Sequence, residues 1–386
     1  MKLSNITEGF TESVIREMTR ICDAVDGDNL AQGFPDFPAP SKIKRAAREA
    51  IAEDRNQYPV TYGEPELRKA IADKAQDYNN IPVDPSEEIT VTCGATEAMI
   101  ATLKAVINPG DEIIVFEPFY ENYGPDAILS GATPRYVSLE RPDWSYSSDQ
   151  LRQAFNERTK AIIINTPNNP TGKVFRREEL REIADLCVEY DCLAITDEIY
   201  EQILYDGRTH VSMASLEGME SRTVTINSIS KTYSVTGWRV GWALAEERIT
   251  ERIRKVHDFL TVGAPTPFQH AAVEALEMPE DYYAKLRADY HRRRESLYDA
   301  LVQIGLGVRL PEGSYYVMAE ASDLMQRLGV DDDFALSKKL VEIAGVAVVP
   351  GSSFYSESGE GESEIRFCFS KSKKTLRRVA KKLREL

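Results

Sequence analysis

Lys231 lies in the run Ser228-Ile229-Ser230-Lys231-Thr232-Tyr233-Ser234-Val235-Thr236-Gly237-Trp238-Arg239. Upstream stand Asn165-Thr166-Pro167-Asn168-Asn169-Pro170-Thr171-Gly172 and Thr196-Asp197-Glu198-Ile199-Tyr200. Together they supply an amine, a carboxylate, a phenol, a carboxamide and a guanidinium, each at or near the end of an apolar run. That set can hold pyridoxal phosphate as a Schiff base and tune its electronics.

Each motif has its own chemical logic. In open α/β sheets, ligands bind outside the carboxyl ends of strands. Gly94-Ala95-Thr96 follows a predicted strand and opens a helix, so its backbone N–H groups face an anion. Loop 165–172 carries two prolines and a glycine, and a loop held that stiffly serves to aim a side chain. Asp197 ends the apolar run Leu193-Ala194-Ile195-Thr196 and needs a partner. A protonated pyridine nitrogen is such a partner, and Tyr200 can reach the ring's phenolic oxygen. Ser228, Ser230 and Arg239 around Lys231 suit a phosphate dianion.

These groups need elements to position them. Residues 12–25 form one amphipathic stretch. Residues 31–40 hold three prolines and a glycine and read as an extended arm. Ser41 is expected to cap a helix over 42–54. Strands are predicted over 88–92, 112–116, 135–139, 161–165, 192–196 and 223–227. They alternate with helices over 95–107 and 177–190, the second with Leu180, Ile183, Ala184 and Cys187 on one face. The alternation predicts an α/β fold with a mainly parallel sheet covered on both faces. Helices are then predicted over 247–259, 266–276 and 282–304. The segments 314–319, 334–344, 346–349, 364–369 and 373–384 suggest a small α+β unit. No internal repeat is present.

Composition sets outer bounds. A chain of 386 residues is long enough for two domains. A net charge of −15 argues against nucleic-acid or anionic-membrane partners. Five scattered cysteines without a CxxC fit a reducing compartment. Four histidines without HxxxH or HExxH spacing give no reason to expect a metal. Residues 1–9 lack an apolar signal segment, and no run reaches membrane length, so a cytoplasmic location is expected.

The chain resembles class I/II aminotransferases of fold type I. The resemblance rests on NTPNNPTGKVF (165–175), ITDEIYEQILYDG (195–207), SISKTYSVTGWRVGW (228–242) and EIRFCFS (364–370). The segments QGFPDFPAP (32–40), RNQYPVTYGEPELR (55–68) and EPFYENY (117–123) resemble the branch of kynurenine aminotransferase, glutamine transaminase K and bacterial methionine aminotransferases. The resemblance implies a seven-stranded large domain over 46–285. The small domain would be built from the arm, 1–45, and from 286–386.

It also implies roles. Lys231 would bind pyridoxal phosphate covalently and shuttle the substrate's proton. Asp197 would pair with the pyridine nitrogen, and Asn169 and Tyr200 with the ring oxygen. Tyr120 would stack on the ring where tryptophan or phenylalanine is common. Gly94, Ala95, Thr96, Ser228 and Arg239 would cradle the phosphate. Tyr58 would reach the site of the neighbouring subunit of a homodimer. Arg366 would clamp the substrate α-carboxylate, with Asn169 and Gly33 against the substrate.

The implied reaction is ping-pong transfer of an α-amino group from an L-amino acid to a 2-oxo acid. A pocket drawn from Phe34, Tyr58, Tyr62 and Val262 would favour aromatic, methionine or glutamine-like donors. Val262-Gly263 stands where kynurenine aminotransferases often carry an aromatic–histidine pair, which argues against kynurenine. The same residues would also serve a cysteine-conjugate or cystathionine β-lyase, an aspartate- or alanine-preferring aminotransferase, or a regulator that only binds the cofactor.

Overall fold

The computed structural model describes residues 3–357 and 359–386; of the expected signal-free segment, Met1 and Lys2 lie outside the described residues. Seven strands form one sheet in the order Ile89–Thr92, Gly241–Leu244, Thr223–Ser228, Leu193–Asp197, Thr159–Asn165, Glu112–Glu117, Thr133–Ser138. Five of the seven run parallel in one block, and Gly241–Leu244 is antiparallel to both its neighbours.

Side chains alternate across a strand, and here both faces are apolar. Ile113, Val115, Ile163, Ile195 and Val224 share one core with Ala98 and Leu103 of the helix Ala95–Val106. Ile114, Phe116, Ile162 and Ile164 enter the opposite core with Leu180, Ile183 and Ala184 of the helix Arg177–Glu189. A sheet buried on both faces leaves its carboxyl ends as the place for polar chemistry.

A second sheet is antiparallel: Val349–Pro350, Glu364–Cys368, Tyr316–Glu320 and Gly307–Val308 in that order. Arg366 sits on its strand Glu364–Cys368 between Met318 and Val349, so it is flanked by strands on both sides. The N-terminal arm reaches this region through Asp28–Asn29, which pairs parallel with Val346–Ala347. The helix Ser41–Ala52 instead packs on Thr266–Leu276.

Several expectations are corrected. The strand Gly241–Leu244 was not predicted, because a four-residue run following Gly237 carries little periodic signal. Ser41 is the first helical residue rather than the cap; Pro40 precedes it, and no side-chain cap bond forms. The helices Pro65–Lys74, Tyr123–Ser130 and Ser148–Ala154 were also not predicted. Each is short, and two of them carry a proline in the first turn, where the missing N–H costs nothing. Among the described residues, no helix is long and apolar enough to cross a membrane.

Candidate active site

Three adjacent strands end on three polar residues. Asn165 and Asp197 are partners in register, and Ser228 ends the next strand. Asn165 ties the ends together: its Nδ2 donates to the Asp197 carbonyl at 2.9 Å, and its Oδ1 accepts from the Asn169 N–H at 2.7 Å. The stiff loop is thus docked onto the neighbouring strand, and Asn169 follows from that docking.

A cavity of 730 Å³ opens over these ends. Among its walls are Gly33, Ala95, Thr96, Tyr120, Asn169, Asp197, Tyr200, Ser228, Lys231 and Arg239. Ten residues singled out from sequence are therefore brought to one place. Gly94 stands just behind: its φ is +82°, and an added Cβ would lie 2.3 Å from Arg239 Nη2, so only glycine lets the guanidinium approach. Arg239 is held by the carbonyl of Thr236 at 2.9 Å. Ser230 also lines the cavity, and its Oγ is buried without a hydrogen-bond partner among the described residues.

Arg366 is fully buried one layer behind Asn169. Its Nη1 donates to Asn169 Oδ1 at 2.8 Å, its Nη2 to the Ala31 carbonyl, and its Nε has no partner among the described residues. Tyr316 and Phe354 sandwich it, with the guanidinium carbon 4.3 and 4.8 Å from their ring centroids. Tyr200 donates to the Tyr316 hydroxyl at 3.2 Å.

Burial shifts the ionisable groups. It lowers Lys231 to about 8, against the attraction of Asp197. The ammonium also lies 3.4 Å from the Gly33 carbonyl. Burial raises Asp197 to about 6, against a hydrogen bond from Tyr123 at 2.8 Å and the charge of Lys231. Both shifts bring the titration of an amine and a carboxylate in one cavity closer to pH 7.

Some expectations are not met within one chain. Tyr58 is 85% exposed and away from the cavity. Val262 is exposed, and the Tyr62 ring lies against Arg254 and Arg68 at 4.0 and 4.8 Å. Of the four residues expected to form the side-chain pocket, only Phe34 lines it. Ile15, Arg16, Met99 and Ile100 stand there instead.

Tyr123 and Tyr316 were missed as site residues; their phenols carried no spacing signal. No metal was expected, yet Glu198, Glu201 and His210 converge. The carboxylate oxygens of Glu201 are already engaged by the ammonium of Lys74 and by Asn79, and Glu198 Oε2 by Ser212.

A buried ion pair braces the anion end. His257 Nδ1 lies 2.7 Å from Glu97 Oε1, and its Nε2 lies 2.7 Å from the Thr61 carbonyl. A carbonyl and a carboxylate only accept, so both ring nitrogens donate and the ring is charged. Burial opposes that charge, but Glu97 outweighs it and holds His257 above 6.5. Burial likewise opposes the Glu97 carboxylate, and His257 holds it below 4.5.

The pair's contribution is therefore complete between those two ordinary values. It fades as pH rises through the raised histidine value, or falls through the depressed glutamate value. At pH 6, His257→Phe should cost about 3–5 kcal/mol, as removing one partner of a buried pair does. Thermal melts check this: the wild-type advantage should shrink from pH 7 to 9.

Comparison with known proteins accords with this geometry. Residues 26–383 match the family model "Aminotransferase class I and II". Human kynurenine–oxoglutarate transaminase 1 is 36% identical, over 96% of this chain and 94% of its own length. The solved structure of N-succinyldiaminopimelate aminotransferase from Mycobacterium tuberculosis superposes with a TM-score of 0.94 at 35% identity, covering all of both chains. That of YbdL from Escherichia coli, described as having a methionine aminotransferase function, gives 0.93 at 32%, again covering all of both chains. The chain belongs to the class I and II aminotransferases and has their type I fold. It is a pyridoxal-phosphate-dependent transaminase, acting between amino acids and 2-oxo acids.

Proposed function

We propose that the chain holds pyridoxal phosphate on Lys231 and takes amino groups from L-amino acids with aromatic, methionine or glutamine-like side chains. The observation that carries the reading is a half-buried Lys231 in the same cavity as the buried Asp197, at the ends of adjacent strands. The residues fit the cofactor. Ser230 Oγ lacks a partner that a phosphate oxygen would supply, and Arg239 sits in the notch left by Gly94. Ala95, Thr96 and Ser228 would complete the phosphate cradle. Asp197 would face the ring nitrogen, Asn169 and Tyr200 the ring hydroxyl, and Tyr120 the ring face.

When bound, pyridoxal phosphate supplies a carbonyl carbon that captures amines and a ring that accepts electron density. The chain does the rest. Lys231, with its lowered pKa, takes the proton from the substrate Cα and returns it. Tyr123 holds the Asp197 carboxylate in place for a protonated ring nitrogen. Arg366 orients the substrate by its α-carboxylate, with Gly33 and Asn169 alongside.

Phe34, Ile15, Met99 and Ile100 are apolar residues lining the cavity, which supports the donor class. Arg16, which also lines the cavity, favours a second reading, a donor with a distal carboxylate. A panel of twenty amino acids with pyruvate and 2-oxoglutarate decides between them. Preference for aspartate or glutamate, lost in Arg16→Ala, would reject the first reading.

The active unit in this reading is a homodimer. Tyr58, Val60, Phe259, Leu260 and Val262 are all exposed on neighbouring segments, and such a patch marks an interface. Mixing Lys231→Ala chains with Tyr58→Ala chains should restore activity, since each hybrid then has one complete site. Random exchange should yield about a quarter of wild-type activity; no recovery would place Tyr58 outside a shared site. The same reading takes 46–285 as the cofactor domain, and 1–45 with 286–386 as the small domain.

A further inference from the structure

Four successive carbonyls of the arm are caught by side chains from distant parts of the chain. Ala31 accepts from Arg366. Gly33 accepts from the Tyr315 hydroxyl at 2.8 Å and Lys231 at 3.4 Å. Gln32 and Phe34 both accept from Lys371 Nζ, at 3.3 and 2.8 Å. The same ammonium lies 3.7 Å from the centroid of the Phe34 ring.

Lys371 is buried and, among the described residues, forms no ion pair with a carboxylate. A buried ammonium needs compensation, and here two backbone carbonyls and a π-face of the arm provide it. The nearby Asp36 is engaged elsewhere, accepting from the Ser372 N–H and from Thr375 Oγ1. The Lys371 backbone is itself anchored, since its carbonyl accepts from Arg293 Nε at 2.9 Å. Among the several anchors of this proline-rich arm, Lys371 is thus the one that grips it on both sides of Gly33, at Gln32 and Phe34. What the arm presents there are Gln32, Gly33 and Phe34, three walls of the active-site cavity. Gly33 fits because an added Cβ would lie 1.8 Å from the Tyr316 hydroxyl.

We propose that Lys371 is a positioning residue for donor specificity: by holding the Gln32 and Phe34 carbonyls it stands the Phe34 ring as a wall against the donor side chain. The proposal rests on the reading of this cavity as the amino-acid site. Without the ammonium, the Phe34 carbonyl and ring lose their hold while Arg366 and Tyr315 still tie Ala31 and Gly33, and donors that pack on the ring lose more than donors too short to reach it.

The test compares wild-type, Lys371→Met and Lys371→Gln holoenzymes with phenylalanine and alanine as donors at saturating 2-oxo acid. In Lys371→Met the ratio of kcat/KM for phenylalanine over alanine should fall about tenfold, mostly through KM, the scale of a lost apolar contact. The cofactor's absorption spectrum should match that of the wild type. In a Phe34→Ala background, the Lys371 substitution should move the ratio by less than about twofold, because the two residues act through one wall.

Equal losses for both donors would reduce Lys371 to a structural role and overturn the proposal. So would a ratio shift that persists without Phe34. If Lys371→Met yields no folded holoenzyme, Lys371→Gln, whose amide still donates, should shift the ratio part of the way; an unshifted ratio there overturns the proposal. A wild-type enzyme that uses neither donor would instead refute the reading of the cavity, and the proposal with it.

Discussion

Lys231→Ala should lower kcat by about four orders of magnitude or more, the upper range for loss of a positioned acid–base group. Among the residues that line the cavity, Lys231 supplies the one amine. Burial brings it to about 8, so a useful fraction is neutral and nucleophilic near physiological pH. Ser228, Ser230, Thr96 and Arg239 do not depend on that amine, so the variant should still bind pyridoxal phosphate, without a covalent link. Single-turnover assays with a good donor measure the loss. Borohydride reduction of the wild-type holoenzyme, followed by peptide mapping, should find the pyridoxyl label on Lys231. A label on another lysine would remove the basis of the assignment.

Arg366→Lys should lower kcat/KM for every α-amino acid by about two to three orders of magnitude, corresponding to the roughly 3–5 kcal/mol for truncating one partner of a buried charge pair. A planar fork makes two parallel bonds to a carboxylate, and an ammonium cannot reproduce them. In the structure Arg366 is held from several sides. Arg366 is fully buried, flanked by strands on both sides and sandwiched between Tyr316 and Phe354. Its Nε has no partner among the described residues, and it already holds Asn169 Oδ1. Lysine would leave that amide oxygen underpaired, so some thermal stability should be lost as well. Steady-state kinetics with an amine lacking the α-carboxylate separates the two effects. Such an amine should be a poor donor for the wild type and lose little more in the variant. Equal losses with and without the carboxylate would make Arg366 a purely structural residue.

The groups that carry chemistry were legible because they stand at strand ends and in turns, whose signals are local. The apolar run 193–196 terminates on Asp197. The prolines of 165–172 mark a loop that aims Asn169, and the strand before Ser228 leads directly to Lys231. Short continuous apolar runs alternating with helical segments likewise announced the sheet, whose strands bury both faces: Ile113 and Val115 enter one core and Ile114 and Phe116 the other. Local pattern failed where it was short, as at Gly241–Leu244. It also failed where a residue was judged by type alone. Tyr62 and Val262 looked like pocket walls, yet Tyr62 lies against two arginines and Val262 faces outward.

By itself, then, the sequence determined the α/β alternation, the strand-end carboxylate, amine and carboxamide, and the family they resemble. Only the tertiary structure decided that Arg366 meets Asn169, that Tyr123 holds Asp197, and that Lys371 pins the arm across the cavity. It also decided the shifts that bring Lys231 and Asp197 towards neutrality. The physical reason is the range of each cause. Backbone propensity and side-chain alternation act over a few residues, whereas desolvation and hydrogen bonding depend on which distant segments the folded chain lays side by side.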